Sequence, residues 1–176
     1  MSEESIGFKE WALICDLLGS GEQTLILRKG GIAEGRDGFQ FKHPSFFLFP
    51  THFHEQGNFL KPEWIKDRSF LPLVDKERET ITIEYQAEIV STRVITDWEE
   101  AAALDPQHAW TKETVRQRFD YDEAPGISVA TVRVFKLAAP WTFPNERGFG
   151  GCRSWVKLPD CPAELLEGRV AVLGEK

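Results

Sequence analysis

Apolar positions along this chain recur at two spacings, one helical and one strand-like. Phe8, Trp11, Cys15 and Leu18 fall at helical intervals and predict an amphipathic helix over residues 7–18, stopped by Gly19 and Gly21. Thr24 to Arg28, TLILR, is a short apolar run that predicts a buried strand, and the glycine-dense GGIAEGRDG after it predicts a loop or hairpin. SFFLF, residues 45–49, predicts a second strand ended by Pro50, with Thr51 as N-cap of a short helix through the following histidines. Residues 60–74 carry Pro62 and Pro72 and read as irregular.

The strongest alternation lies in TITIEYQAEIVSTRVI, residues 80–95, where Ile81, Ile83 and Tyr85 alternate with Thr82 and Glu84. Its phase slips between Ala87 and Val90, as at a bulge. Asp97 and Thr111 stand where N-caps of two helices belong, WEEAAAL and KETVRQRF. ISVATVRVFKL predicts another strand with Val129, Thr131, Arg133 and Phe135 on one face, SWVKL a further short one, and PAELLEG a proline-led helical turn. Five or six strands with three to five short helices and no βαβ rhythm predict an α+β or mostly-β domain spanning residues 1–176. The expected form is a small curled sheet or barrel with short peripheral helices.

Composition changes this picture in two ways. Thirteen Phe and six Trp are many for 176 residues; some must pack the core, and one or two of the Trp are expected to line a surface or pocket. A formal net charge of −7 argues against general coating of nucleic acid, while leaving room for a local basic site. The N-terminal residues lack a signal-peptide pattern, and no apolar run approaches the roughly 18 residues that span a bilayer. Three scattered cysteines, Cys15, Cys152 and Cys161, fit reduced thiols and a cytoplasmic location, and their spacing does not suggest structural zinc.

Three constellations carry candidate chemistry. Arg28 and Lys29, where a strand runs into Gly30 and Gly31, can present two cations beside backbone N–H groups to an anion or base edge; the alternative is a hairpin tip with solvated charges. LFPTHFHEQ holds His52 and His54. On a strand the two rings would share a face and could chelate, whereas on a helix i and i+2 diverge by about 200°. A metal also needs a third ligand at defined spacing, and His43, Glu55 and His108 are weak candidates, so no metal site is assigned. Imidazole hydrogen bonding in a pocket and plain structural roles both remain open. In RGFGGCRSWVKL, residues 147–158, Arg153 and Trp155 beside flexible backbone suit a splayed base, though Trp155 can equally pack inward. The carboxylates fall into no recognisable catalytic spacing, so no catalytic residue and no cofactor are assigned.

WALICDLLGSGEQTLILRKGGIAEG, FFLFPTHFHEQ, AEIVSTRVI, VRVFKL and RGFGGCRSWVKL together resemble the bacterial domain-of-unknown-function family 1802 across nearly the whole chain. That resemblance implies a link to restriction-modification or nucleic-acid surveillance. SGEQTLILR is also similar to the G-x-K-T-x-E-x-R strand motif of ASCH domains, which are PUA-like folds that bind RNA or modified bases. Gly21, Thr24 and Arg28 match, Gln23 replaces the motif lysine, and Ile26 stands at a position that is often acidic. The resemblance implies a PUA-like fold, and Gln23 in place of the lysine that is important for catalysis in ASCH-like enzymes argues against inherited amidohydrolase chemistry. The expectation is a module that recognises RNA, DNA or a nucleotide, a modified base included. Arg28, Lys29, His52, His54, Arg153 and Trp155 would form its site. The two rival expectations are a hydrolase or nuclease using His52 or His54, and a non-catalytic partner of a nuclease.

Overall fold

The computed structural model describes residues 4–29, 38–68 and 75–173. Its strands are β1 (Ile6–Trp11), β2 (Leu25–Arg28), β3 (Ser45–Thr51), β4 (Thr80–Ile95), β5 (Ile127–Pro144), β6 (Trp155–Lys157) and β7 (Val170–Ala171). Its α-helices are α1 (Ala12–Gly19), α2 (Pro62–Ile65), α3 (Trp98–Ala102), α4 (Lys112–Phe119) and α5 (Ala163–Glu167). The seven strands form one mixed sheet in the order β2-β5-β4-β3-β1-β6, with β7 added alongside β5, and the sheet does not close on itself. The pair β1–β3 is parallel and all the others are antiparallel. The fold is therefore α+β with an open mixed sheet, and the loop or hairpin expected at GGIAEGRDG falls almost wholly outside the described residues.

Both faces of the sheet are covered, which explains why SFFLF reads as an unbroken apolar run. Phe46 and Leu48 enter the larger core with α1, β2 and α4, while Phe47 and Phe49 enter a smaller core with Ile81, Ile83, Trp141 and Phe143. β4 spans residues 80–95 as its alternation predicts. Val90 bulges between Ile89 and Ser91, and a second irregularity follows Ile83. On β5, Val129, Thr131, Arg133 and Phe135 share a face that runs from buried at Val129 to exposed at Arg133, while Ala130, Val132 and Val134 alternate with them and belong to the larger core.

Two expectations are corrected. Residues 6–11 form β1, paired with β3 and β6, and only residues 12–19 are helical. The ladder bonds to two neighbouring strands outweigh the local helical spacing, and Leu13, Ile14, Leu17 and Leu18 supply the buried face of α1. The helix expected through the histidines is absent: β3 runs past Pro50 to Thr51, and a short 3₁₀ turn follows at Gln56–Phe59. Thr51 caps nothing; its hydroxyl donates to the Glu10 carbonyl. Pro50 is tolerated because β3 pairs with β4 only through Ser45–Phe47, so no β4 ladder bond is lost at residue 50. α1 has no side-chain cap of its own, and instead the buried Gln56 accepts a hydrogen bond from the Leu13 N–H at 3.1 Å.

Candidate functional site

In β1 the side chains of Lys9 and Trp11 lie on one face by the strand's period of two. That face opens into a cleft of about 470 Å³ where Lys9, Arg28, Lys29 and Arg153 meet Thr51, Phe53 and Asp75. Four cations therefore surround one carboxylate in a chain of net charge −7.

Several of these cations are held by backbone carbonyls. Lys9 Nζ donates to Phe149 O and Gly151 O, both at 2.7 Å, and Arg153 Nη2 donates to Gly148 O at 3.1 Å, which fixes the 147–153 turn against β1. Burial in this setting lowers the Lys9 pKa, and Arg153 and Arg28 push it the same way, against the opposing pull of Asp75 and Cys152. The Arg28 guanidinium donates to the Lys9 carbonyl and lies 4.7 Å from the Phe8 ring centroid. Lys29 is the most heavily engaged, with bonds to Ala124 O and Gly126 O and an ion pair to Asp122 at 3.2 Å.

A second cavity of about 500 Å³ adjoins the first and shares Trp11, Lys29 and Phe53 with it. Phe59, Tyr121, Glu55, Thr114, Gln117 and Arg118 complete its lining. Trp11 meets Phe53 edge-on at 4.6 Å and Phe59 at 5.6 Å, so the aromatic wall is braced by its own ring contacts. At the base, Arg118 lies 3.8 Å from the Trp110 ring centroid and donates to Leu27 O at 3.2 Å. Burial lowers its pKa to about 10, which leaves it cationic at neutral pH. The buried Glu10 carboxylate favours that charge from below.

The six residues singled out in the sequence separate into three groups. Arg28, Lys29 and Arg153 converge on the cationic cleft. His52 touches it through Asp75: its backbone N–H donates to Asp75 Oδ1 at 2.8 Å and its Nδ1 lies 3.2 Å from the same oxygen. The His52 ring itself lines a different cavity, beside Arg78 and Tyr85. His54 is exposed and lines neither lobe, and Trp155 belongs to another layer. The Trp155 ring packs against Phe8 at 5.0 Å and Phe46 at 5.2 Å, and its indole N–H donates to Gln40 O, pinning residues 39–43 to the sheet. Lys9, Trp11, Phe53 and Asp75 were missed. Alternation in GFKEW would have revealed Lys9 and Trp11 had it been read as a strand.

Among the described residues, no group of three or more His, Cys, Asp and Glu side chains could hold a metal ion, and no helix is long and apolar enough to cross a membrane. Cys15, Cys152 and Cys161 are free thiols.

The family model for a domain of unknown function, DUF1802, matches residues 7–176. The chain belongs to the DUF1802 family. No curated protein matches it. Among solved structures, ASCH from Zymomonas mobilis aligns over 98% of this chain and 99% of its own at a TM-score of 0.52 and 10% identity. A serine-to-alanine variant of that protein aligns over 90% of both chains at 0.51 and 9%. This DUF1802 chain thus has an ASCH-like fold, and at such identity the likeness is one of fold alone. Gln23 is a buried brace here. Its Oε1 accepts from the Ala109 N–H and its Nε2 donates to Leu25 O, both at 2.9 Å.

Proposed function

We propose that this protein binds single-stranded nucleic acid, or nucleotides carrying the same groups, in the cleft between β1, the end of β2 and the 147–153 turn. The observation that carries this reading is the convergence of Lys9, Arg28, Lys29 and Arg153 beside the half-buried rings of Trp11 and Phe53. Cations that follow a backbone next to rings that accept bases are the combination single strands require. The acidic remainder of the surface confines binding to this place and disfavours general coating of duplex DNA. Recognition without catalysis is the simplest form of the function, and the free thiols suit a reducing cytoplasm.

Fluorescence anisotropy with labelled single-stranded RNA, DNA and modified-base oligonucleotides tests the reading. Binding is expected to weaken as salt rises. Arg153→Ala, at an exposed position, is expected to weaken it severalfold and to reduce the salt slope by about one. Absence of binding to every oligonucleotide at low salt would overturn the proposal.

The His52–Asp75 contact favours one second reading, a hydrolase or nuclease in which Asp75 orients the ring and His52 Nε2 acts as general base. Cleavage of an oligonucleotide by the wild type and its loss in His52→Ala would establish that alternative. The link to restriction-modification belongs to the same proposal: a binding module would serve by bringing a nuclease partner to its target, and a pull-down from native cells would find that partner.

A further inference from the structure

The aromatic cavity beside the cationic cleft has its own polar groups, and their arrangement is selective. Glu55 stands on its rim in none of the ion pairs among the described residues, so both carboxylate oxygens can accept. Arg118 supplies the cation from the inner side, and Phe53, Phe59 and Tyr121 supply ring surface, with Tyr121 58% exposed.

Of the four common bases, guanine alone presents two adjacent N–H donors, N1–H and the N2 amino group, next to an acceptor, O6. A carboxylate accepts those two donors side by side, and a cation matches the carbonyl. Adenine and cytosine each offer an amino donor beside an acceptor, and uracil sets one N–H between two carbonyls, so none of them satisfies Glu55 and Arg118 together. A cavity of about 500 Å³ is of the size that encloses one small-molecule ligand, hence one base with its sugar. The neighbouring lobe, joined through Trp11, Lys29 and Phe53, then receives the adjoining phosphates.

We infer that the aromatic cavity is a guanine subsite, in which Glu55 accepts from the base edge while Tyr121 and Phe53 contact its faces. This rests on the nucleic-acid reading of the cleft and adds base selectivity to it. The ligand is a single strand with an unstacked guanine; a paired guanine has its Watson–Crick edge occupied and is excluded.

Anisotropy with labelled five-nucleotide RNAs, carrying a central G, A, C or U between flanking uridines, tests the inference. The G-centred strand is expected to bind at least roughly fivefold more tightly than the others. Glu55→Gln, at an exposed position, is expected to abolish that preference, whereas Arg153→Ala is expected to weaken all four strands by a similar factor. Equal affinity for the four strands would overturn the guanine subsite and leave the cleft proposal standing, as would a G preference untouched by Glu55→Gln. Failure of all four to bind at low salt would bring down both.

Discussion

At the scale of single residues, position on an element decides what a side chain can do. His52 and His54 draw notice because imidazole is chemically versatile, yet Phe53 between them is the residue that lines both lobes of the groove. Nothing in the alternation of HFH says which of the three side chains turns toward β1, because the chain leaves the sheet at Thr51 and its direction afterwards is set by contacts with Asp75 and Trp11. Gly19 shows a different constraint. A Cβ there would lie 2.2–2.6 Å from atoms of the Tyr85 ring. Alanine has the better helix propensity, by about 1 kcal/mol, but crowding a half-buried ring costs about 1–3 kcal/mol, so the clash prevails. Gly19→Ala is expected to lower the urea midpoint, and the double variant with Tyr85→Leu to recover most of it. An unchanged midpoint in Gly19→Ala would show that the ring moves freely.

Elements whose signals are local are legible from sequence, and those fixed by distant partners are not. Asp97 accepts from the Glu100 N–H at 3.0 Å and Thr111 from the Thr114 N–H at 3.3 Å, so the two caps read from the sequence are the caps in the structure. β4 is equally legible because its sixteen residues stay extended and pair with β5 apart from two irregularities. β1 is not: six residues with apolar groups at positions 8 and 11 fit a helix until β3 and β6 bind both of their edges. That single misreading hid Lys9 and Trp11, since a helix would send them to different faces. The caps give a prediction at this scale. Asp97→Ala is expected to cost about 1 kcal/mol in chemical denaturation, and Asp97→Asn much less, because the amide oxygen still accepts.

At the scale of the whole molecule, charges buried in assembling the sheet and helices make stability depend on pH. His108 is 1% exposed, and burial, reinforced by Lys61, lowers its pKa to about 4. The unfolded chain takes up this proton near pH 6.5 and the folded chain only near 4, so stability falls as pH drops through that window. The expected loss is on the order of 3 kcal/mol across the window. Asp16 acts in the opposite sense: burial raises its pKa, so its contribution weakens as pH rises above the ordinary carboxylate range. The His108 part is therefore read as a difference, with His108→Gln expected to show a flatter pH dependence between 6.5 and 4 than the wild type. Parallel curves would mean that His108 is protonated alike in both states.

The sequence alone determined the long β4 strand, the two helix caps, the α+β class and the cationic pairing of Arg28 with Lys29, since each depends on neighbours within a few residues. It also determined that any nucleic-acid site must be local, because net charge requires no geometry. The tertiary structure decided the parallel placing of β1 beside β3 and the inward packing of Trp155. It also decided the meeting of Lys9, Arg153 and Phe53 around Arg28. Those groups lie up to about 140 residues apart in sequence and share a groove only because the sheet brings their strands and turns together.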